Sequence, residues 1–295
     1  MKAAGSIVEC VPNFSEARDR GVVDAIRHVA ESVPGAHLLD TTSDPDHNRT
    51  VLTIAGAPEA VAEATLAAVR EAVARIDLTR HTGVHPRLGA ADVIPFVPVR
   101  GVALEDCTKL AHGAGQRIWD MLRVPVYLYE AAALRPECTR LENVRRLAAG
   151  SLAPDVGNGR HPTAGVSVVG ARKFLVAWNI NLVSRDVAAA REIAREIRES
   201  SGGLPAVKAI GLALELRDQV QVSVNLVDFE TTPLHVVFTA VAEKCRARGI
   251  SIVGSELIGM IPEAALETSE GHDLRWLNLR PELVLEQRLR GLGLI

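Results

Sequence analysis

The sequence predicts an α+β protein made of two halves of like topology. Three observations carry this expectation. Residues 6–99 set short apolar runs and helical periodicities in the order β-α-β-β-α-β. Residues 174–254 restart the same order. Between them, Ser151 to Gly165 holds two prolines, three glycines and no periodicity, which reads as a long loop or a junction. The order β-α-β-β-α-β is that of a ferredoxin-like split βαβ unit. Two such subdomains, 1–171 and 172–295, packed against each other would leave a ligand cleft between them, a place that ligand sites favour.

Each element has a local reason. Ser6 to Phe14 is a short apolar strand that ends at a Pro-Asn turn. Ser15 or Asp19 can cap the next helix, whose Val22, Val23, Ile26, Val29 and Ala30 fall on one face. Ala36 to Asp40 is a second strand, followed by the polar loop T-T-S-D-P-D-H-N-R, and Arg49 to Gly56 is a third. Pro58 suits the first turn of a helix that runs to about Arg75. Val93 to Val99 is extended, and Pro95 and Pro98 point to a sheet edge. A helix from Leu104 to Leu122, the strand V-P-V-Y-L-Y and a helix near Leu141 to Ala149 follow, with Arg140, Arg145 and Arg146 expected on a solvated face.

In the second half, Phe174 to Leu182 is a strand, and Ser184 or Asp186 caps a helix that turns Val187, Ile193 and Ile197 inward. Ala206 to Leu214 and Gln219 to Asp228 form a hairpin; Pro233 opens a helix ending near Arg246; Ile250 to Gly254 is the last strand. The tail P-E-L-V-L-E-Q-R-L-R-G is a capping helix.

Composition narrows the class. The chain has 295 residues, 47% of them hydrophobic but only 3% aromatic, so Ala, Val, Leu and Ile must fill the core. A net charge of −3 and the lack of a basic stripe argue against nucleic acid. Four scattered cysteines without a C-x-x-C fit a reducing cytoplasm, and no run approaches the roughly 20 apolar residues of a membrane span.

Reactive side chains concentrate in Thr79 to Asp92, T-R-H-T-G-V-H-P-R-L-G-A-A-D. Pro86 biases His85 towards an extended backbone, and Gly83 allows a tight bend. A neutral imidazole accepts a proton near pH 7, and guanidiniums hold carboxylates by paired hydrogen bonds. Together they suit chemistry at an amine or carbonyl of an acidic substrate. A metal site on His81 and His85 is the rival; Gly83 and Pro86 deny them a shared helical face, and no neighbouring cysteine or acid completes a ligand set. A solvated turn with incidental histidines is the plainest alternative.

Seven stretches in order resemble the formiminotransferase family, the folate-dependent glutamate formimidoyltransferases of histidine breakdown. They are E-C-V-P-N-F-S-E (Glu9 to Glu16), D-P-D-H-N-R-T-V (Asp44 to Val51), H-T-G-V-H-P-R-L-G-A-A-D (His81 to Asp92), H-P-T-A-G (His161 to Gly165), G-A-R-K-F-L-V-A-W-N-I-N-L (Gly170 to Leu182), Q-V-S-V-N-L (Gln221 to Leu226) and V-G-S-E-L-I-G-M-I-P (Val253 to Pro262). The resemblance implies two ferredoxin-like subdomains with folate in the cleft between them, a homodimer, and transfer of a formimidoyl group between N5 of tetrahydrofolate and the amine of glutamate, with tetrahydrofolate as co-substrate and no metal. It implies His85 as the catalytic histidine. The folate loop it implies comprises Gly157, Asn158, Gly159, Arg160, His161, Pro162, Thr163, Ala164 and Gly165. Arg49, Arg87, Arg172 and Lys173 are the cations expected to clamp carboxylates, and His81 is expected to orient the loop or touch substrate; His47 and His161 are expected to line the cleft. One stretch departs from the family pattern. After V-Y-L-Y an R-x-G-E-F/Y-E-G-L run is expected, and here N-V-R-R-L-A-A-G-S-L-A-P-D stands instead, about ten residues short by that resemblance. The alternatives are a relative that moves a formyl group and a non-catalytic folate-binding paralogue.

Overall fold

A computed structural model describes residues 5–148, 150 and 152–295. The chain forms two compact units, Met1–Lys173 and Phe174–Ile295. Ala149 and Ser151, which the expected helix end and loop start include, lie outside the described residues.

The first unit runs β1 (Ile7–Cys10), β2 (Asn13–Phe14), α1 (Arg20–Glu31), β3 (Ala36–Asp44), β4 (Arg49–Gly56), α2 (Pro58–Arg75), β5 (Ala91–Arg100), α3 (Leu104–Leu122), β6 (Val126–Glu130), α4 (Leu141–Leu147) and β7 (Ser167–Ala171). Its mixed sheet has β1 and β2 in one lane between β4 and β5, with β3 outside β4. Beyond β5 lie β7 and then β6, both parallel to it. Alternation decides the faces: Val8, Cys10, Leu52, Ile54, Ile94 and Phe96 pack with α1, α2 and α3 in one core. Asp19 caps α1, its carboxylate accepting from the amides of Gly21 and Val22.

The structure corrects several expectations. The first strand is two strands, broken at Pro12, which has no amide hydrogen to give the ladder. β3 continues through the supposed polar loop to Asp44, since Thr41 to Asp44 pair with Leu52 to Arg49, and the hydroxyls of Ser43 and Thr50 bond across the pair at 2.8 Å. β5 is central, not an edge. Pro95 is tolerated there because its missing N–H faces Val11, whose carbonyl takes Asn13 Nδ2 instead at 2.8 Å, while Pro95 O still accepts from Val11 N at 3.1 Å. Strand β7, buried throughout, has no alternation by which the sequence announces it.

The second unit runs β8 (Val176–Val183), α5 (Val187–Ile197), β9 (Val207–Leu214), β10 (Gln219–Leu226), α6 (Leu234–Ala247), β11 (Ser251–Ile258), α7 (Glu263–Glu267) and α8 (Leu285–Gly291). Its sheet is antiparallel in the order β11-β8-β10-β9. Trp178, Ile180 and Leu182 on β8 face Ile193, Val237 and Val241 of the helices. β11 outruns its expected end at Gly254, passing a register shift at Ile252–Gly254 and continuing to Ile258. Among the described residues, no helix is long and apolar enough to cross a membrane.

Candidate active site

In the first unit, the end of β2, the β3–β4 turn and the starts of β5 and β7 lie at one end of the sheet, so the loops attached to them converge there. Side chains tie these loops together. Asn48, held at φ 46°, accepts from Ala17 N at 2.8 Å and donates to Thr82 O at 3.0 Å. Arg18 donates to Pro45 O at 2.9 Å and to Thr82 Oγ1 at 3.2 Å. Ser15 donates its hydroxyl to Gly89 O at 2.8 Å.

His85 lies on the loop between α2 and β5. Its Nδ1 is 2.8 Å from the carbonyl oxygen of Pro86. A carbonyl only accepts, so Nδ1 carries the hydrogen, and in the neutral ring the free lone pair is on Nε2. The residue as a whole is half-buried, and the packing around its ring, then Arg49 and Arg145, hold its pKa well below the ordinary imidazole range. His47, itself buried, stands with its ring centroid 5.7 Å away. The geometry is that of an uncharged base at neutral pH with one nitrogen fixed and the other available.

The centre of charge is Asp92, which closes the His85 motif and is fully buried. Its carboxylate accepts from Arg49 Nη1 at 2.7 Å, Arg145 Nη2 at 2.6 Å and the amide of Leu88 at 2.7 Å. Burial alone would raise its pKa; the two guanidiniums win and hold it well below the usual carboxylate range. Arg49 is oriented further by Nε donating to Asn13 Oδ1 at 3.0 Å. Thus Asn13 joins the accommodation of Pro95 to the site. Arg145 is a correction: it was expected on a solvated helix face, yet α4 seats Val144 in a buried cluster with Leu88, Val93, Tyr127 and Val168, and Arg145 beside it reaches Asp92.

Arg87 spends its donors on the loop itself. Nη2 donates to the carbonyls of His85 at 2.9 Å and His47 at 3.0 Å, Nε also reaches His85 O at 3.2 Å, and Nη1 contacts the His81 ring. Its guanidinium therefore staples two loops, and burial lowers its pKa to about 10. His81 thus meets the staple through its ring. Gly83 serves close approach: a Cβ there would lie 2.4 Å from Arg87 Nη2 and 2.5 Å from His47 O, and its φ is not in the left-handed region.

The loop Gly157 to Gly165 folds directly onto the motif. Leu78 N donates to Thr163 O at 2.8 Å, Ala90 N to Ala164 O at 2.9 Å, and Arg160 Nη2 to Leu88 O at 3.1 Å. His161 Nδ1 accepts from Ala164 N at 2.9 Å, closing a turn with Pro162 outside it. Gly165, at φ 72°, lets the chain pass Leu88 O, which a Cβ would approach to 2.2 Å. Gly157, Asn158 and Gly159 are exposed.

Arg172, followed by Lys173, shares the neighbour Tyr129 with Arg49. They follow β7, whose Val168–Ala171 run beside Val93–Phe96 in the same direction. Six residues separate Ala91 from the level of Arg172, about 20 Å at 3.3 Å per residue. Arg172 donates to Lys173 O at 3.0 Å and neighbours Tyr129.

Residues 7–172 match the model of the formiminotransferase domain, N-terminal subdomain, and residues 177–279 that of the formiminotransferase domain. The chain is 43% identical over 270 residues to the glutamate formimidoyltransferase of Streptococcus pyogenes serotype M1, covering 88% of this chain and 90% of that protein. It is 39% identical to the glutamate formimidoyltransferase of Thermoplasma acidophilum, with the same coverage of 88% and 90%. It is 45% identical to the formimidoyltransferase-cyclodeaminase of Sus scrofa, covering 88% of this chain but 51% of that longer protein. A microcompartments protein from Desulfitobacterium hafniense DCB aligns over 85% of this chain and 93% of its own at 12% identity and a TM-score of 0.21, too low to bear on the fold. With both family models matching in order along most of its length, the chain belongs to the formiminotransferase family.

Proposed function

We propose that the chain is a glutamate formimidoyltransferase in which His85 moves the protons. N-formimino-L-glutamate and tetrahydrofolate give 5-formimidoyltetrahydrofolate and L-glutamate. N5 attacks the formimidoyl carbon, a tetrahedral intermediate forms, and the bond to the glutamate nitrogen breaks. N5 must lose a proton and the departing nitrogen must gain one. The observation that carries this reading is the state of His85: Nδ1 is committed to Pro86 O, and burial and neighbouring cations keep the ring neutral. Nε2 takes the proton from N5 and returns it to the leaving amine, so one group acts first as base and then as acid.

The remaining roles follow from placement. Arg49 is the carboxylate holder of the expected set that stands at His85, whereas Arg87 builds the loop. Gly157 to Gly165, hydrogen-bonded to the motif, is assigned to folate. Arg172 and Lys173, just past the end of β7, are assigned to tail carboxylates of the folate. The lane orders β5-β1/β2-β4-β3 and β11-β8-β10-β9 support placing both units in the ferredoxin-like class. A homodimer completes the proposal on family resemblance, and four free thiols support a reducing cytoplasm.

The test is formimidoyl transfer from formiminoglutamate to tetrahydrofolate, read by the absorbance of the cyclised folate product in acid. Wild type turns over, and His85→Ala loses about 10²- to 10⁴-fold, the usual worth of a general acid–base group. Full turnover in His85→Ala removes the histidine from the mechanism; an inert wild type that still binds tetrahydrofolate makes the chain a folate-binding paralogue.

A further inference from the structure

We propose that Arg145 is a specificity-determining residue which, with Arg49, holds the α-carboxylate of the amino-acid substrate beside His85. The inference rests on the transferase reading above and deepens it.

Charge comes first. Arg49 and Arg145 share one carboxylate, that of Asp92, so the pair carries one unbalanced positive charge next to a neutral histidine. Unbalanced charge at a largely buried site is costly unless an anion arrives to meet it. The donor count agrees. A guanidinium has five N–H donors. Arg49 commits Nε to Asn13 and one Nη1 hydrogen to Asp92; Arg145 turns its two Nη groups to Asp92 at 2.6 and 3.5 Å. Both keep donors for a ligand, and both side chains retain a solvent-facing margin, 12% and 16% exposed.

Position selects which carboxylate. In glutamate the reacting nitrogen and the α-carboxylate share one carbon, whereas the γ-carboxylate is three carbons from that nitrogen's carbon. A base that serves the nitrogen therefore has the α-carboxylate as its immediate neighbour. The cations whose fields act most on His85 are Arg49 and then Arg145. Arg87 has its donors on the carbonyls of His85 and His47, and Arg172 stands after β7 beside Tyr129. Val144 anchors α4 in the cluster with Leu88, so Arg145 is presented from a packed helix rather than from a free loop.

The experiment uses the reverse reaction, with 5-formimidoyltetrahydrofolate as donor and two acceptors, L-glutamate and 4-aminobutyrate, which is glutamate without its α-carboxylate. The readout is the ratio of the two kcat/KM values. In Arg145→Gln the ratio in favour of glutamate falls about 10- to 100-fold, the size expected of one charge-assisted partner. Arg145→Lys, which keeps the charge but not the paired donors, gives an intermediate ratio. If Arg145 only supports the fold, both acceptors lose rate together and the ratio stays at the wild-type value; that result overturns the proposal. Should Arg145→Gln fail to fold, Arg145→Lys decides, an unchanged ratio again overturning it. A wild type that transfers to neither amine refutes the transferase reading itself, which is a separate failure.

Discussion

Replacing Asp92 with Asn tests whether the carboxylate is the anchor of the site. The substitution preserves shape, and Asn Oδ1 can still accept from Leu88 N, now 2.7 Å away. What it removes is the charge that Arg49 and Arg145 face. Breaking a buried ion pair from one side costs roughly 3–5 kcal/mol, because the partner is left buried and unpaired. Two guanidiniums are stranded here, but each has a solvent margin, so the lower end, about 3 kcal/mol, is expected. For a unit of this size each kcal/mol moves the melting temperature by about 2–4 °C, giving a fall of about 6–12 °C in calorimetry. The pH dependence has a definite sign. The folded pKa of Asp92 is depressed, so its stabilisation is fully present above the unfolded carboxylate pKa, near 3.9, and is lost as pH falls through the folded value. The gap between wild type and Asp92→Asn should therefore be constant at neutral pH and narrow only in acid below about pH 4. Adding Arg145→Met to Asp92→Asn should recover part of the loss, since one stranded charge goes with it. If Asp92→Asn melts within about 2 °C of wild type at pH 7, less than 1 kcal/mol on the same scale, the carboxylate is not the anchor.

Two further outcomes follow from the same loop. Gly83→Ala drives a methyl into Arg87 Nη2 and His47 O, so it should cost about 1–3 kcal/mol and release the staple across the two loops; denaturant midpoints and kcat/KM measured together check it, and an unchanged midpoint with full activity would show that the loop has room. The ring of His85 should stay neutral in the free enzyme to a pH well below 6.5, because burial and the cations Arg49 and Arg145 disfavour its charged form. Histidine Cε1 NMR titration, with the resonance assigned by its loss in His85→Ala, reads this directly, and a midpoint at 6.5 or above would contradict it.

The parts of the site that sequence exposes are those whose constraint is local. His85 stands out because Gly83, Pro86 and Gly89 punctuate its loop, and a proline after a histidine restricts that histidine wherever the chain goes. The glycines at 157 and 165 are visible for the same reason, both taking positive φ where a side chain would strike Trp119 or Leu88 O. Constraints met by distant partners leave no such mark. Pro95 reads as an edge signal because its missing donor is local, whereas the remedy, Asn13 on Val11 O, lies in another strand. Strand β7 is a five-residue run, buried throughout, with no alternation to declare it. Arg145 sits in a seven-residue helix beside Arg146, too short for a face to be resolved by periodicity, and only the packing of Val144 settles which arginine turns inward. That distinction bears on the shortened stretch Asn143 to Asp155. The stretch lacks the acidic-aromatic run that the resemblance leads one to expect, yet α4 delivers one guanidinium to Asp92. Since Asp92 also holds the amide of Leu88, three residues from His85, the same ion cluster ties the His85 loop to α4.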